Sequence, residues 1–466
     1  MISVEKIGGT SMSAFDEVLK NIILHEPNRI YGRVYIVSAY SGVTNWLLEH
    51  KKTGEAGVYA KFAEGGEYGA ALDALTGKLK GINKGLEPLG LDLAIADGFI
   101  ERRMKELKAY LDSMRHVLSS GYLRKEEVLL AAREMLAAIG EAHSAFNSVE
   151  ILKKKGIKAL LMDLSGFDDD EALSIDGRIH KSFHGVNLAS QVVIVTGYTK
   201  GVEGIMREFD RGYSEVTFSK VAVELKANEA VIHKEFHLSS ADPVLVGTKN
   251  AIVVGMTNYD VADQLADVGM EAIHPKAAKP MEMAGIPIRL KNTFEPDHPG
   301  TLVTKDFVGK QARVEVIAGT DKVVALEIHD PSMVGTVGFD LGVMEAFKRH
   351  GVSYIAKATN ANSMTHVIWE KSAKDTFVQE LEEKYELVKV VPSAIVCAIG
   401  SNIAFPGVLA RATQALAAAQ INVLAVSQSL RQTNMQFIIE LADYKKAVIA
   451  LNQALCVDLA NASAVA

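Results

Sequence analysis

The chain opens MISVEKIGGTSMSAF, with Lys6 just ahead of a Gly-Gly-Thr-Ser turn at the end of a short apolar run. A cation beside glycines suits an anion. With no Cβ in the way, the backbone N–H groups of Gly8 and Gly9 can approach a phosphate or carboxylate closely, while Thr10 and Ser11 can cap the next helix. The order differs from the usual phosphate loop, G-x-x-x-x-G-K-[ST], in which the lysine follows the glycines. A strand-to-helix turn with no ligand reads the same way, so other residues must decide. The stretch GYTKGVEGIMREFDRGYSEVTFSKVA, starting at Gly197, places Arg211, Ser214 and Glu215 on one helix-opening turn, where the backbone dipole favours a negative group. It reads either as a substrate clamp or as an N-terminal cap by Ser214 beside an exposed Arg211.

The elements that must position these residues follow from pattern. The apolar run over 34–38 leads into Gly42-Val43-Thr44-Asn45, a second strand followed by a glycine-punctuated turn. Residues from about 46 to 135 lack strand alternation and carry helical spacing, as in FIERRMKELKAYLDSMRHVL, predicting a helical insertion. Strand-like runs return at KALLMDL, QVVIVTGY and AVIHKEF. Strands alternating with helices predict a largely parallel sheet covered on both faces, with ligands at the carboxyl ends of the strands.

At 466 residues and 50.3 kDa the chain exceeds one ordinary core, and about two to four units are expected. Its 48% hydrophobic and 23% charged residues, with mean hydropathy +0.11, fit a soluble globular protein without a membrane span. The opening residues lack the apolar run of a signal peptide, and Cys397 and Cys456 provide neither a disulfide framework nor metal-ligand spacing. A cytoplasmic setting is expected. A net charge of -7 argues against nucleic acid, whose backbone demands a basic face.

After Pro299-Gly300 the texture changes, and a boundary is expected near 305. Two segments repeat the order strand, helix, two strands, helix, as VVALEIHD to THVIWEK and as AIVCAIGS to QFIIELAD, predicting a pair of small α+β sandwiches. Pairing with each other or with another chain is the expected use.

Taken in order, K-x-G-G-T-S, V-S-A-x-x-G-V-T-N near 40, G-E-x-x-S at 140–144, R-G-x-S-[DE] near 211, I-H-P near 274, I-P-I-x-[LV]-K-N-T and G-T-L-V resemble the aspartate kinases, and the paired C-terminal segments resemble their ACT domains. The resemblance spans nearly the full length. It implies an amino-acid-kinase-like three-layer α/β/α sandwich with a mostly parallel sheet over 1–305, followed by two ferredoxin-like ACT units at about 320–391 and 392–466. It also implies ATP-dependent phosphorylation of the L-aspartate side chain to 4-phospho-L-aspartate with Mg²⁺. This is the first step of the aspartate-derived amino-acid pathway, which leads to lysine and threonine.

By that resemblance Lys6 stabilises the transferring phosphoryl group, Gly8, Gly9 and Thr10 contribute to the phosphate turn, and Glu215 replaces an aspartate that orients the lysine. The additional methylene moves the carboxylate by about 1.5 Å. Arg211 would take the substrate α-carboxylate and Glu141 its α-ammonium, with Ser38, Thr44 and Ser214 completing the pocket. No residue is assigned to a protein-held metal. Elementary chemistry agrees: a side-chain carboxylate is already ionised at pH 7, so its phosphorylation needs no general base, only neutralisation of two anions. Two unit charges at 4 Å repel by about 4 kcal/mol at an effective dielectric near 20. His143 reads as structural or surface, and His274 before Pro275 as a helix-closing residue rather than a proton-transfer group.

The nucleotide side departs from the family pattern. HKEFHLSSADPV keeps Asp242-Pro243 but has Val244 for an arginine, Lys234 for an aspartate, and Glu271 for a nucleotide-contacting lysine. Tyr213 stands where the family has glycine. In the first ACT unit Ile355 occupies the place of an acid that meets an effector's amino group; desolvating an ionised ligand against it is costly, so weak or absent lysine feedback is expected. Some aspartate kinases devoted to compatible-solute pathways are similar in having unusual sequences. The alternatives are a kinase of another acidic amino acid and a non-catalytic amino-acid-binding regulator. A homodimer or higher assembly joined through the ACT units is expected, with an amino-acid effector possible there.

Overall fold

The structure is a computed structural model, and it describes residues 2–51, 53–209, 212–270 and 273–457. It divides into two compact units, one of residues 1–237 and 276–300, the other of 238–275 and 301–466.

In the first unit six parallel strands, β1 (Ser3–Ile7), β2 (Arg33–Val37), β3 (Ala159–Met162), β4 (Val192–Thr196), β5 (Glu229–Lys234) and β7 (Ile288–Asn292), lie in the order β3-β4-β2-β1-β5-β7. β1 and β4 are buried at every position, as expected when helices cover both faces of a parallel sheet. The chain runs outward from β1 to β2 and later crosses to its other flank at β5. The carboxyl end of β1 is therefore a topological switch point, where such sheets leave a crevice.

Charged groups lock the middle of this sheet. Arg33 holds Glu5 through two bonds of 2.6 and 2.8 Å, and His233 on β5 lies 2.9 Å from the same carboxylate. Burial opposes ionisation of Glu5, but Arg33 and His233 hold its carboxyl well below the usual range. Successive strand residues point to opposite faces, so Lys6 projects away from this network.

The expected insertion is helical. Helices Gly69–Leu86 and Leu93–Ser120 bury residues at spacings of three and four, among them Leu72, Leu75 and Leu79 on one and Ile100, Arg103 and Leu107 on the other. Asp92 caps the second, accepting from the N–H groups of Ala94 and Ile95. The helix Lys125–Lys154 is buried almost all round between Leu136 and Val149, and Gly140 makes this possible: a Cβ there would stand 2.6 Å from the Cβ of Ala39.

In the second unit β6 (Met256–Asn258) pairs in parallel with β8 (Thr301–Thr304). Strands β9 (Val316–His329), β10 (Tyr354–Thr359), β11 (Ser363–Trp369), β12 (Leu387–Ile399), β13 (Val423–Gln428) and β14 (Asn434–Glu440) form one antiparallel sheet in the order β10-β11-β9-β12-β14-β13. Each α+β segment has the expected element order, but the two share their long strands. Leu387–Ser393 pairs with Val323–His329 and Ile395–Ile399 with Val316–Thr320, so the expected junction at 391/392 falls inside β12. An irregularity between Ser393 and Ile395 resets the register where the segments meet.

Within the expected 1–305 domain, residues 238–275 pack into the second compact unit. Val254, Val261, Leu265 and Val268 share a core with Val316, Val323, Ile355 and Ile395. The helix Tyr259–Asp267 thus covers one face of the antiparallel sheet. Among the described residues no helix is long and apolar enough to cross a membrane.

Candidate active site

The carboxyl ends of β1, β2 and β4 converge with the start of the helix Tyr213–Glu224 and the middle of Lys125–Lys154. Lys6 Nζ lies 3.5 Å from Glu215 Oε1, both side chains largely buried. The longer acid still reaches the ammonium. Ser38 follows β2, its N–H donating to Ile7 O at 3.1 Å, its carbonyl accepting from Ser144 Oγ at 2.9 Å and its hydroxyl 3.4 Å from Ser214 Oγ. Glu141 is 3% exposed, and the Tyr213 hydroxyl lies 3.5 Å from its Oε2.

Gly197 decides how tightly these parts meet. Its N–H donates to Val37 O at 2.9 Å, and a Cβ would stand 2.7 Å from Val37 O, 2.9 Å from Ser214 Cβ and 3.1 Å from Glu141 Cγ. Gly9 acts similarly at the next turn, where a Cβ would be 2.7 Å from Ala39 O. These glycines let three chain segments touch. Neither Gly197 nor the Tyr213 hydroxyl was given a role from sequence; a glycine ending the QVVIVT run was the available signal for close approach.

Electrostatics separates the groups by task. Burial pushes Glu141 up to about 7, partly offset by backbone donors at Glu141 and Ala39, by the Tyr213 hydroxyl and by Lys6. A buried carboxylate without its own counter-ion is suited to a ligand ammonium, and a buried lysine held by an acid to a ligand anion.

The expected capping bonds at the two helix starts do not form, and the remaining expected site residues are placed as follows. Thr10 is exposed and Ser11 donates to or accepts from Thr293 Oγ1 at 3.0 Å; no side chain caps the helix Gly9–Ser13, whose N-cap is Gly8. Ser214 likewise sits inside its helix, and Gly212 is the N-cap. Thr44 is half-buried in the helix Val43–Leu47. Lys234 ends β5, its carbonyl accepting from Thr293 N at 2.8 Å. Asp242 belongs to the second unit, where its side chain caps the helix Pro243–Val246 by accepting from Val244 N at 2.8 Å. Arg211 and Glu271 lie outside the described residues. His143 is structural, as expected: fully buried, pushed down to about 3 by burial, and 2.6 Å from Asn83 Oδ1. His274 does not close a helix but precedes the one that Pro275 opens. Among the described residues no cluster of three or more His, Cys, Asp or Glu could hold a metal ion.

Comparison with known proteins resolves the family. The amino acid kinase family model matches residues 1–292 and an ACT domain model residues 396–455. The chain is 44% identical over 463 residues to aspartate kinase Ask_Ect of Stutzerimonas stutzeri, covering 98% of this chain and 97% of that protein. The chain belongs to the aspartate kinases. Another relative of this family, chloroplastic aspartokinase 1 of Arabidopsis thaliana, is 27% identical, with 78% of this chain and 68% of the relative covered. Among solved structures, the aspartate kinase of Clostridium acetobutylicum superposes with a TM-score of 0.74 at 20% identity, over 97% of this chain and all of that one. Aspartokinase III of E. coli, in complex with aspartate and ADP, gives 0.72 at 20% identity, covering 98% of this chain and 100% of that one. These two establish the shared fold, and the aspartate kinase architecture agrees with the parallel sheet and ACT-type sheet described above.

Proposed function

We propose that this aspartate kinase transfers the γ-phosphoryl group of ATP to the side-chain carboxylate of L-aspartate, giving 4-phospho-L-aspartate and ADP. The observation that carries the reading is the Lys6–Glu215 pair meeting buried Glu141 at the carboxyl ends of β1, β2 and β4. In the reaction an ionised carboxylate oxygen attacks the γ-phosphorus, its bond to the β,γ-bridging oxygen breaks, and ADP leaves; no proton need move. Lys6 neutralises charge on the transferring group while Glu215 holds its ammonium in place. Glu141 receives the substrate α-ammonium, Arg211 the α-carboxylate, and Ser38, Thr44 and Ser214 line the acceptor pocket. Gly8, Gly9 and Thr10 face the phosphates, with Lys234 on the nucleotide side.

Mg²⁺ fits as an ion brought by the nucleotide, because it retains waters and binds mainly through substrate phosphates rather than a protein cage. The ACT-type sheet supports an amino-acid effector, and apolar exposure of Tyr354 on β10 and of Leu424 and Val426 on β13, its outermost strands, supports assembly through that unit. The aspartate-derived pathway to lysine and threonine is the proposed context.

The test is trapping of the acyl phosphate with hydroxylamine in the presence of ATP and Mg²⁺, across a panel of acidic amino acids. Aspartate-dependent hydroxamate is expected. Its formation with another acid alone would assign a different substrate, and ATP never consumed with any would refute the reading. Lys6→Ala is expected to lower kcat by roughly 10²–10³-fold or more while aspartate binding persists.

A further inference from the structure

A cavity of about 480 Å³ lies in the first unit beside the helix Lys125–Lys154, and none of Lys6, Ser38, Thr44, Glu141, Ser214 and Glu215 lines it. It is walled by that helix, by Tyr110 and by the loops around 165–170 and 198–207. This volume falls in the range of small-molecule sites.

The charges on the wall do not balance. Its acids are Glu127, Glu134, Asp169 and Asp170, and its cations are Lys200 and Arg207. Arg207 is taken by Glu127 at 2.8 Å, and Lys200 donates to the carbonyls of Gly166 and Asp169 at 3.2 and 3.0 Å. Asp169 is held by Arg178 at 2.6 Å. Glu134 accepts hydrogen bonds from neutral donors, the Met206 N–H at 2.7 Å and the Tyr198 hydroxyl, and burial raises its pKa; Arg207, already paired with Glu127, acts on it only through its field and offsets this in part. Around these acids the wall is hydrocarbon and aromatic, from Leu130 and Met135 to Tyr110 and Phe167, whose rings meet edge to face at 6.0 Å.

A half-buried carboxylate with two neutral donors and, among the described residues, no ion pair of its own, at the edge of an apolar chamber, is complementary to an ammonium group on a short hydrocarbon body. Aromatic faces nearby favour the same charge. An anion would meet the acidic excess, and an uncharged solute would leave Glu134 without a cation. We propose that this cavity is a second small-molecule site, which binds an aliphatic amine or diamine with its ammonium on Glu134 and its methylenes against Leu130, Met135 and Tyr110. The occupant would be felt beyond the cavity. The Tyr198 ring packs on that of Tyr213 at 5.7 Å, and the Tyr213 hydroxyl approaches Glu141.

The test is binding to the intact protein without nucleotide or substrate, so it stands apart from the kinase reading. 1,5-Diaminopentane is titrated calorimetrically, with 1-pentanol and glutarate as probes of similar length lacking the positive charge. Saturable binding of the diamine alone is expected, weakened roughly tenfold or more in Glu134→Gln and in Leu130→Trp, which fills the chamber while keeping the carboxylate. No saturable heat with wild type at millimolar diamine would overturn the proposal. So would equal binding of pentanol, or undiminished diamine binding by both variants when circular dichroism shows them folded.

Discussion

The two units bury different chemistry. The parallel sheet of the first encloses ionisable groups at its centre and at its strand ends: Glu5 between Arg33 and His233, Lys6 beside Glu215, and Glu141 beneath Tyr213. The antiparallel sheet of the second encloses hydrocarbon, with Leu326, Phe347 and Phe377 in one cluster and Val396, Met435 and Phe437 in another. Where His366 enters that interior beside Phe347, burial pushes it down to about 4 and it stays neutral. Ile355 is a core residue of the same unit. Desolvating a charge costs several kcal/mol unless a partner offsets it, so buried charge persists where a partner or a ligand requires it. The first unit is organised around that requirement and the second around packing.

The contrast breaks first at Arg33. Arg33→Ala leaves Glu5 buried with His233 and the Ser3 hydroxyl to face it and is expected to cost about 3–5 kcal/mol of stability, measured by urea denaturation. Glu5 has a folded-state pKa below its unfolded value, so its contribution is present above the ordinary glutamate range, near 4.3, and is lost as pH falls through the folded value. A variant as stable as the parent would show that the charged centre is dispensable.

Gly197→Ala tests the strand ends. A methyl group 2.7 Å from Val37 O must displace backbone, an overpacking of about 1–3 kcal/mol, and it pushes on Ser214 and Glu141. A raised KM for aspartate, larger than any change in KM for ATP, is expected; unaltered kinetics would detach this junction from the acceptor pocket.

Glu141 sharpens the comparison through pH. Its pKa stands near 7 before ligand arrives, and only the ionised form can pair with an ammonium. Below pH 7 the KM for aspartate is expected to rise by about tenfold per unit, while Glu141→Gln flattens the profile at a high KM. For stability the sign is opposite to that of Glu5: a raised carboxyl favours the neutral form, so its penalty builds as pH rises from the ordinary glutamate value toward 7.

The smallest effect is expected in the second unit. With Ile355 committed to the core, lysine titrated into the activity assay is expected to leave the rate nearly unchanged, and strong inhibition would show that the unit recognises an ionised effector by other residues.

Much of this was legible beforehand because it is local. Glycine-punctuated strand ends, helical spacing through the insertion and the repeated order of elements after 300 reflect rules that act within a few residues. They located the parallel sheet, the helical insertion and the Lys6 and Ser214 segments, whereas Glu141 was assigned by the resemblance alone. Lys6 and Glu215, linked by the resemblance, stand 3.5 Å apart despite the longer acid. As helix caps Thr10, Ser11 and Ser214 misled, because a hydroxyl next to a helix start has several possible partners; Ser11 reaches Thr293, 282 residues away. The Asp242 side chain also caps a helix, accepting from the Val244 N–H, a bond that the reading toward nucleotide did not include.

Taken alone, the order of residues determined which segments become strands and helices, that the chain needs more than one core, and that cations and small residues cluster where a sheet would end. Tertiary structure alone decided that 238–275 folds with the distant C-terminal strands, that two α+β segments share β9 and β12, and that Gly197 wedges between Val37, Ser214 and Glu141. The reason is physical. Periodicity reports which face of an element is apolar, but not which other apolar face will cover it, and a charge's burial depends on neighbours brought from hundreds of residues away.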